Sequence, residues 1–217
     1  MSKYLIHCCN NRRWYVDKYL IPSVLKQGIS ESDISIYQDT ENEGCLISCM
    51  KAFKNIGYND GTWHLQDDVV IADNFKELTE KYNTGIVCAM CTDYDINTKC
   101  GAISTVDEMW YSFPCIRIPN NIARACGEWF FREARYDERY RPHWKRNKDD
   151  DVMFRYFLKQ HEPVTAMNLY PNIVNHIDYL LGGSTINTER DKRIVAKYWQ
   201  DNTIIERLEQ ELQNEHR

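Results

Sequence analysis

Trp63-His64-Leu65-Gln66-Asp67-Asp68-Val69-Val70 opens as an apolar, strand-like run and stops on two adjacent carboxylates. Burying ionised carboxylates costs several kcal/mol unless they are paired, hydrogen-bonded or bound to a metal. A strand that delivers an acidic pair to its C-terminal end places it where open α/β sheets bind ligands. The competing reading is a strand end finished by two solvated Asp residues, and the choice between them rests on the surroundings of the pair.

Outward from this stretch, strand and helix signals alternate through the first 90 residues. Tyr4–Cys8 reads as a short buried strand, followed by a helix through Val16, Tyr19, Leu20, Val24 and Leu25 that Pro22 is expected to kink or split. Ile34-Ser35-Ile36-Tyr37 is a second strand, ending in Gln38-Asp39-Thr40. Cys45, Leu46, Cys49, Met50 and Phe53 keep helical spacing up to Gly57, and Trp63–Leu65 forms the third strand. Asp73 is placed to cap a helix over Phe75, Leu78 and Tyr82, and Gly85–Met90 is a fourth strand. Strands and helices in this order imply parallel strands joined by right-handed crossovers, the nucleotide-binding half of a doubly wound sheet.

Beyond residue 92 the pattern changes. Residues 93–118 read as loops and short strands, with Ile116-Arg117-Ile118 the clearest, and Asn120–Arg132 reads as a helix. A second helix over Lys148–Gln160 opens with Asp149-Asp150-Asp151, acids that offset the helix dipole. Pro163–Leu169 is a further strand, and Tyr170–Ser184 has loop character with Gly182-Gly183 as a breaker. Glu189–Arg217 is a polar helix whose loose stripe of Ile194, Tyr198, Ile204, Leu208 and Leu212 suits packing on the body or on a partner. The chain thus divides into residues 1–92, 93–188 and a tail at 189–217.

The 217 residues, 43% hydrophobic and 27% charged, suit one domain with a sizeable core and a tail. A net charge of −5 argues against a surface that adheres as a whole to nucleic acid. No run approaches the ~18 apolar residues of a membrane span, and the N-terminal residues lack the apolar stretch of a signal peptide. The expected location is therefore the cytoplasm, a host's cytoplasm if the source is viral. Nine cysteines are scattered with a single C-x-x-C at Cys88 and Cys91. No second close pair or finger-spaced His completes a zinc site, so reduced, mostly buried thiols are expected.

Four features fall in a chemically sensible order. Asp39 comes after the second strand, where a carboxylate can hold a ribose or base. Asp67-Asp68 come after the third, Asp149-Asp150-Asp151 open a later helix, and His176 lies in Pro171-Asn172-Ile173-Val174-Asn175-His176. Asn10-Asn11-Arg12-Arg13 stand directly after the first strand, with Arg as a fork-shaped phosphate ligand. Each has a plainer alternative: Asp39 as a turn former, Asp149–Asp151 as first-turn charges, His176 as a structural histidine, Asn10–Arg13 as an ordinary helix start.

Taken together, Leu65-Gln66-Asp67-Asp68-Val69, the later acids, and Pro-x-x-Val-x-His with a Gly-Ser beyond it resemble glycosyltransferases of the GT-A fold over roughly residues 3 to 185. The resemblance implies an α/β, Rossmann-like mixed sheet flanked by helices, here with a C-terminal helical tail. It also implies a nucleotide-sugar-binding half over 1–92 and an acceptor-binding half over 93–188. It assigns Mn²⁺ or Mg²⁺ to Asp68 and His176, and a nucleotide-sugar donor, by default a UDP-sugar, to Asn10, Arg12, Asp39, Gln66 and Asp67. Asp150 or Asp151 becomes the base on the acceptor. Gln66 stands where the usual Asp-x-Asp begins, which makes Asp68 the metal ligand and turns Asp67 towards sugar or ribose. The chemistry is coherent, since a hard cation neutralises charge on a leaving diphosphate and a carboxylate takes the acceptor's proton. A helix start turns ~100° per residue, so the sequence does not choose between Asp150 and Asp151.

From Arg132 to Lys148 there are seven Lys or Arg against three Asp or Glu, with aromatics interleaved. Arg139, Arg141, Trp144, Lys145 and Arg146 are the candidates for contacting a DNA acceptor, basic groups on phosphates and an aromatic on bases. The alternatives are a sugar-stacking platform and an amphipathic connector that covers the core. The compact size and the Leu-Gln-Asp-Asp-Val pattern also resemble small bacteriophage glycosyltransferases, which points to a 5-hydroxymethyl-pyrimidine in DNA as acceptor. The rival acceptor is a cell-surface or lipopolysaccharide glycan. The rival class is a non-catalytic nucleotide- or DNA-binding module.

Overall fold

The computed structural model describes residues 3–90, 102–105, 113–147, 149–160, 165–169, 172–181 and 202–215. β1 (Tyr4–Cys9), β2 (Ile34–Asp39) and β3 (Thr62–Gln66) form the parallel start of the sheet, with β1 in the centre. β5 (Ile86–Cys88), β6 (Ala102–Thr105), β7 (Cys115–Ile118) and β8 (Thr165–Asn168) complete seven strands in the order β2-β1-β3-β7-β5-β8-β6. The result is a mixed α/β sheet flanked by helices, as the sequence implies. One expectation is revised: the fourth strand does not adjoin the third. β7 inserts between β3 and β5 and runs antiparallel to both. Strands from 1–92 and 93–188 thus share a single sheet.

The two faces carry different cores because strand residues alternate. Tyr4, Ile6 and Cys8 of β1, with Trp63 and Leu65 of β3, join a cluster with Val16, Leu20 and Val24 of the first helix. Ile205, Leu208 and Leu212 of the C-terminal helix Asn202–Glu215 are buried in the same cluster, so this helix docks on the body. On the opposite face Phe53 of α2 (Cys45–Lys54) packs with Phe130 of α4 (Asn120–Arg132), Phe154 of α6 (Asp150–Lys159) and Ile116 of β7. Gly127 lets α2 and α4 touch backbone to backbone, since a Cβ there would lie 2.5 Å from the Lys54 amide nitrogen.

Pro22 neither splits nor ends the first helix, α1. An α turn at Arg13–Tyr15 passes through a widened π segment at Val16–Leu20 into Ile21–Lys26. The wider turn accommodates the ring and the missing N–H, which would otherwise break an i→i−4 ladder. The helix α3 (Phe75–Lys81) starts after Asn74 instead of Asp73 and has no side-chain cap. α5 (Arg141–Arg146) is a separate short helix that the sequence pattern does not set apart from its neighbours.

The largest revision concerns the chain just beyond the acidic pair. Val69 and Val70 do not simply leave a finished strand. Asp67 and Asp68 form a corner, and β4 (Val69–Ile71) leaves it to pair antiparallel with β9 (Val174–His176) in a separate two-stranded sheet. Tyr170–Ser184 has loop character in the sequence, yet His176 stands on β9, opposite Val69. Gly182, Gly183 and Ser184 lie outside the described residues, as do residues 189–201 of the expected long tail helix.

Candidate active site

A cavity of about 510 Å³ opens at the C-terminal ends of β1 and β3. That volume lies within the range of small-molecule sites. Among its lining residues are Asn10, Arg12, Asp39, Gln66, Asp67, Asp68, Arg146, Asp150 and His176. Residues separated by more than 160 positions in the chain therefore meet at one opening.

The acidic corner is held by two backbone N–H groups and one tyrosine hydroxyl. The Cys9 N–H donates to Asp67 Oδ2 at 2.6 Å. The Ile177 N–H donates to the Asp68 carbonyl at 2.8 Å, and the Tyr15 hydroxyl donates to the Val69 carbonyl at 2.8 Å. The β4–β9 register then brings His176 Nε2 to 3.0 Å from Asp68 Oδ2. Arg12, only 4% exposed, leaves the short turn Asn10–Arg12 and reaches both acids. Its Nη1 donates to Asp67 Oδ1 at 3.2 Å and also to Asp68 Oδ2. Both Asp67 and Asp68 are 6% exposed, so the pair is buried and its charge is met by a guanidinium and an imidazole.

The electrostatics follow from that geometry. Burial would raise Asp68, but His176 and Arg12 outweigh it and hold the carboxyl well below the usual carboxylate range. Burial opposes the charged form of His176, yet Asp68 lifts its imidazole above its ordinary value. Asp67 is raised, by burial first and by the neighbouring Asp68 second. Asp68 Oδ1 is buried without a hydrogen-bond partner among the described residues. A buried carboxylate oxygen is costly to leave unsatisfied.

A divalent cation fits this corner as a two-ligand site. Asp68 and His176 offer a hard oxygen and an imidazole, and Mg²⁺-type ions commonly take one or two protein ligands and complete their shell with phosphate oxygens and water. Among the described residues no group of three or more His, Cys, Asp or Glu could hold a metal ion. The remaining ligands would therefore come from the substrate and solvent.

The other expected donor residues line the cavity with distinct roles. Asp39 accepts from the Glu43 and Gly44 N–H groups at 2.9 Å each, so it builds the β2–α2 turn at the cavity wall. Asn10 is locked by Gln38, whose Nε2 donates to Asn10 Oδ1 at 2.8 Å. Gln66 lines the cavity next to the acids.

Asp150 and Asp151 separate clearly. Asp150, 6% exposed, lines the cavity and accepts from the Cys45 thiol at 3.2 Å. Burial pushes its carboxyl up to about 6. Asp151 is absent from the lining, and its Oδ1 accepts from the Val152 N–H at 2.7 Å. Burial, and then Asp150, push Asp151 to about 7. Asp149 faces His143, with Nδ1 2.7 Å from Asp149 Oδ2, and Arg146.

The basic stretch is not a single face on the cavity. Arg139 pairs with Asp137 and Arg141 with Glu138, while Trp144 packs against the second core. Arg146 alone of the five reaches the cavity lining, and Lys145 is exposed.

Two features have no counterpart among the residues the sequence singles out. Asn147 adopts a left-handed conformation at φ 52° and latches the start of α2. Its Oδ1 accepts from the Ile47 N–H at 3.0 Å, and its Nδ2 donates to the Glu43 carbonyl. His7 and His64 also line the cavity and hydrogen-bond to each other. Alternation along β1 holds the signal for the second: a polar side chain on the same sheet face as Leu5, opposite the apolar face of Tyr4, Ile6 and Cys8. The described cysteines are free, and burial drives Cys45, Cys49 and Cys126 well above the ordinary thiol range, which makes them poor nucleophiles.

No family model matches the chain, and no curated protein matches it. Among solved structures it is similar to A197 from STIV, with 16% identity and a TM-score of 0.42, covering 82% of this chain and 86% of that one. It is also similar to HddC from Yersinia pseudotuberculosis, with 10% identity and a TM-score of 0.31, covering 58% of this chain and 80% of that one. Likenesses this distant leave the function to be argued from the site. Among the described residues no helix is long and apolar enough to cross a membrane.

Proposed function

We propose that the chain is a metal-dependent glycosyltransferase that moves a sugar from a nucleotide-sugar, most simply a UDP-sugar, to an acceptor hydroxyl. One observation carries the reading: Asp68 and His176 meet at 3.0 Å in the lining of a ligand-sized cavity, with a carboxylate oxygen left unsatisfied. Arg12 beside them is a second cation suited to a diphosphate. When bound by Asp68 and His176, Mn²⁺ or Mg²⁺ would neutralise charge on the departing diphosphate. His176 must release its proton before its Nε2 can serve as a ligand.

Asp150 is the base in this reading, because it is the later acid that lines the cavity. The acceptor oxygen forms a bond to the sugar's anomeric carbon as the bond from that carbon to the diphosphate oxygen breaks. The electron pair leaves with the diphosphate, and the hydroxyl proton passes to Asp150. A carboxyl raised to about 6 suits that exchange near neutrality.

For the acceptor, we infer a 5-hydroxymethyl-pyrimidine in DNA. Arg146 at the cavity rim and exposed Lys145 beside it support this reading. The test is label transfer from UDP-glucose and other nucleotide-sugars to hydroxymethylated DNA, unmodified DNA and oligosaccharides, with and without Mn²⁺. Metal-dependent donor hydrolysis that disappears in Asp68→Ala supports the transferase. Labelled glycan without labelled DNA would replace the acceptor, and no turnover of any donor would end the reading.

A further inference from the structure

At the cavity, α2 and α6 begin against each other. Gly44, at φ 89°, turns the chain into α2, and Asp39 holds the N–H groups of Glu43 and Gly44. The next exposed donors of that helix start end on one residue. The Leu46 N–H donates to the Asn147 carbonyl at 3.3 Å, and the Ile47 N–H donates to Asn147 Oδ1 at 3.0 Å. Asn147 Nδ2 donates in return to the Glu43 carbonyl. Gly44 leaves room for this clip, since a Cβ there would collide with the Asn147 amide. Asn147 stands three residues ahead of Asp150, the first residue of α6. Clipped in this way, the first residue of one helix meets the first residue of the other: the Cys45 thiol donates to Asp150 Oδ2 at 3.2 Å, and both residues line the cavity.

A general base needs a fixed orientation and a proton affinity near the working pH. Burial raises the Asp150 carboxyl, and the Cys45 thiol opposes that rise more than the N–H groups of Asp151 and Asp150 do. Those N–H groups belong to the helix that carries Asp150, whereas the thiol comes from the opposite helix. A thiol is a weak donor. It therefore holds one oxygen without returning the carboxyl to the ordinary carboxylate range, and a hydroxyl in its place would favour the carboxylate more strongly. Burial first, and Asp150 second, keep Cys45 protonated, so it remains a donor. The other titratable or charged groups around Asp150 are Asp149 and Asp151 beside it, Cys49 one turn along α2, and Arg146 and Asp68 in the same cavity lining. Arg146 is paired with Asp149.

We propose that Cys45 is a positioning residue for the transfer, its thiol holding Asp150 Oδ2 so that the carboxylate presents one fixed face to the acceptor hydroxyl. The proposal rests on the transferase reading for the role of Asp150 as base. It ties the base, which lies in the acceptor-binding half, to a helix of the donor-binding half.

Carboxyl ¹³C titration of Asp150 in the full chain, with EDTA and without substrate, reads the contact directly. The midpoint should be about 6 in the unmodified chain. It should fall by roughly one pH unit in Cys45→Ser and rise by roughly one in Cys45→Ala, the worth of one hydrogen bond to a charged group. A thiol that only packs against α6 leaves the three midpoints equal, and equal midpoints or any other order overturn the proposal. If a variant does not fold, the Cys45 ¹³Cβ resonance of the unmodified chain decides, since it should titrate with the Asp150 midpoint and a flat resonance overturns the contact. The pH limb of sugar transfer should move in the same order as the midpoints, with the donor KM unchanged. Ordered midpoints with a limb that stays in place would overturn the positioning role. Ordered midpoints with no turnover of any donor would instead remove the base role through failure of the transferase reading, with the contact intact.

Discussion

Replacing Arg12 with Met keeps an apolar stem and removes the guanidinium that both Asp67 and Asp68 share. Removing one partner of a buried ion pair strands the other charge, at a cost of about 3–5 kcal/mol. In a chain of this size each kcal/mol moves Tm by about 2–4 °C, so a loss of roughly 6–20 °C is expected in chelator at pH 7. The sign of the pH dependence is fixed. Asp67 is already raised by burial and by Asp68, and without Arg12 it titrates further above its unfolded value of about 3.9. The folded state then binds more protons than the unfolded one, and stability falls as pH rises from that value through the folded pKa. The deficit should be small near pH 4 and full at pH 7.

Mn²⁺ should behave as a substitute charge. At one hundred times its Kd a ligand specific to the folded state restores about 2.7 kcal/mol by mass action. Urea or thermal unfolding of Arg12→Met, with EDTA and with Mn²⁺ across that pH range, reads both effects. A loss below about 1 kcal/mol, the range of solvent-exposed pairs, would show that the acids are solvated and the corner is not a charge-balanced site. A full loss with no recovery in Mn²⁺ would keep the corner and refute its role in binding the ion.

The same geometry sets further outcomes. Transfer rate should rise with pH through about 6 and flatten above it, as Asp150 gives up its proton; Asp150→Asn should remove that limb, and a limb below pH 5 would exclude it as base. Gly127→Ala places a Cβ 2.5 Å from the Lys54 amide nitrogen and 2.7 Å from the Met50 carbonyl, so urea unfolding should show a loss of about 1–3 kcal/mol. Asn147→Ala should cost about 1–2 kcal/mol by freeing the start of α2, and Asn147→Gly should cost less because glycine accepts the φ of 52°; equal losses would put the whole effect on the side chain. Neutralising Arg139, Arg141, Lys145 and Arg146 together should weaken DNA binding and flatten its salt dependence. A variant that binds DNA as tightly as the unmodified chain, with the same salt dependence, would move the DNA contact elsewhere.

Long periodic elements are legible in the sequence, and short ones are not. β1, β3 and α2 show there because each has several buried positions at its own spacing. β4 and β9 have three residues each, too few for any period, and they are recognisable only by pairing with one another across about a hundred residues. The insertion of β7 between β3 and β5 is a similar non-local choice, which local pattern does not encode. For the site, residue type is informative and partner is not. Arg12 reads as a phosphate ligand or as part of an ordinary helix start, and burial against two acids makes it their counter-ion. Asp39 carries two readings, and the Glu43 and Gly44 N–H groups give it the turn-forming one. His64 is hidden by its neighbours, since Trp63 and Leu65 make the segment look uniformly apolar.

Position and charge are controlled separately at the acidic corner, and that division has a consequence. The backbone is fixed by Ile177 and Tyr15, and the Asp67 carboxylate is oriented by the Cys9 N–H, all through neutral donors. The charge is balanced by two side chains, Arg12 and His176, each of which has another use in the same chemistry. Arg12 can turn its fork from carboxylate to diphosphate, and His176 can exchange its proton for a metal. Binding a cation together with a diphosphate then adds opposite charges to a buried site already neutral, so neither ligand need enter alone against a large desolvation cost. In the proposed reaction the two would therefore arrive as a unit.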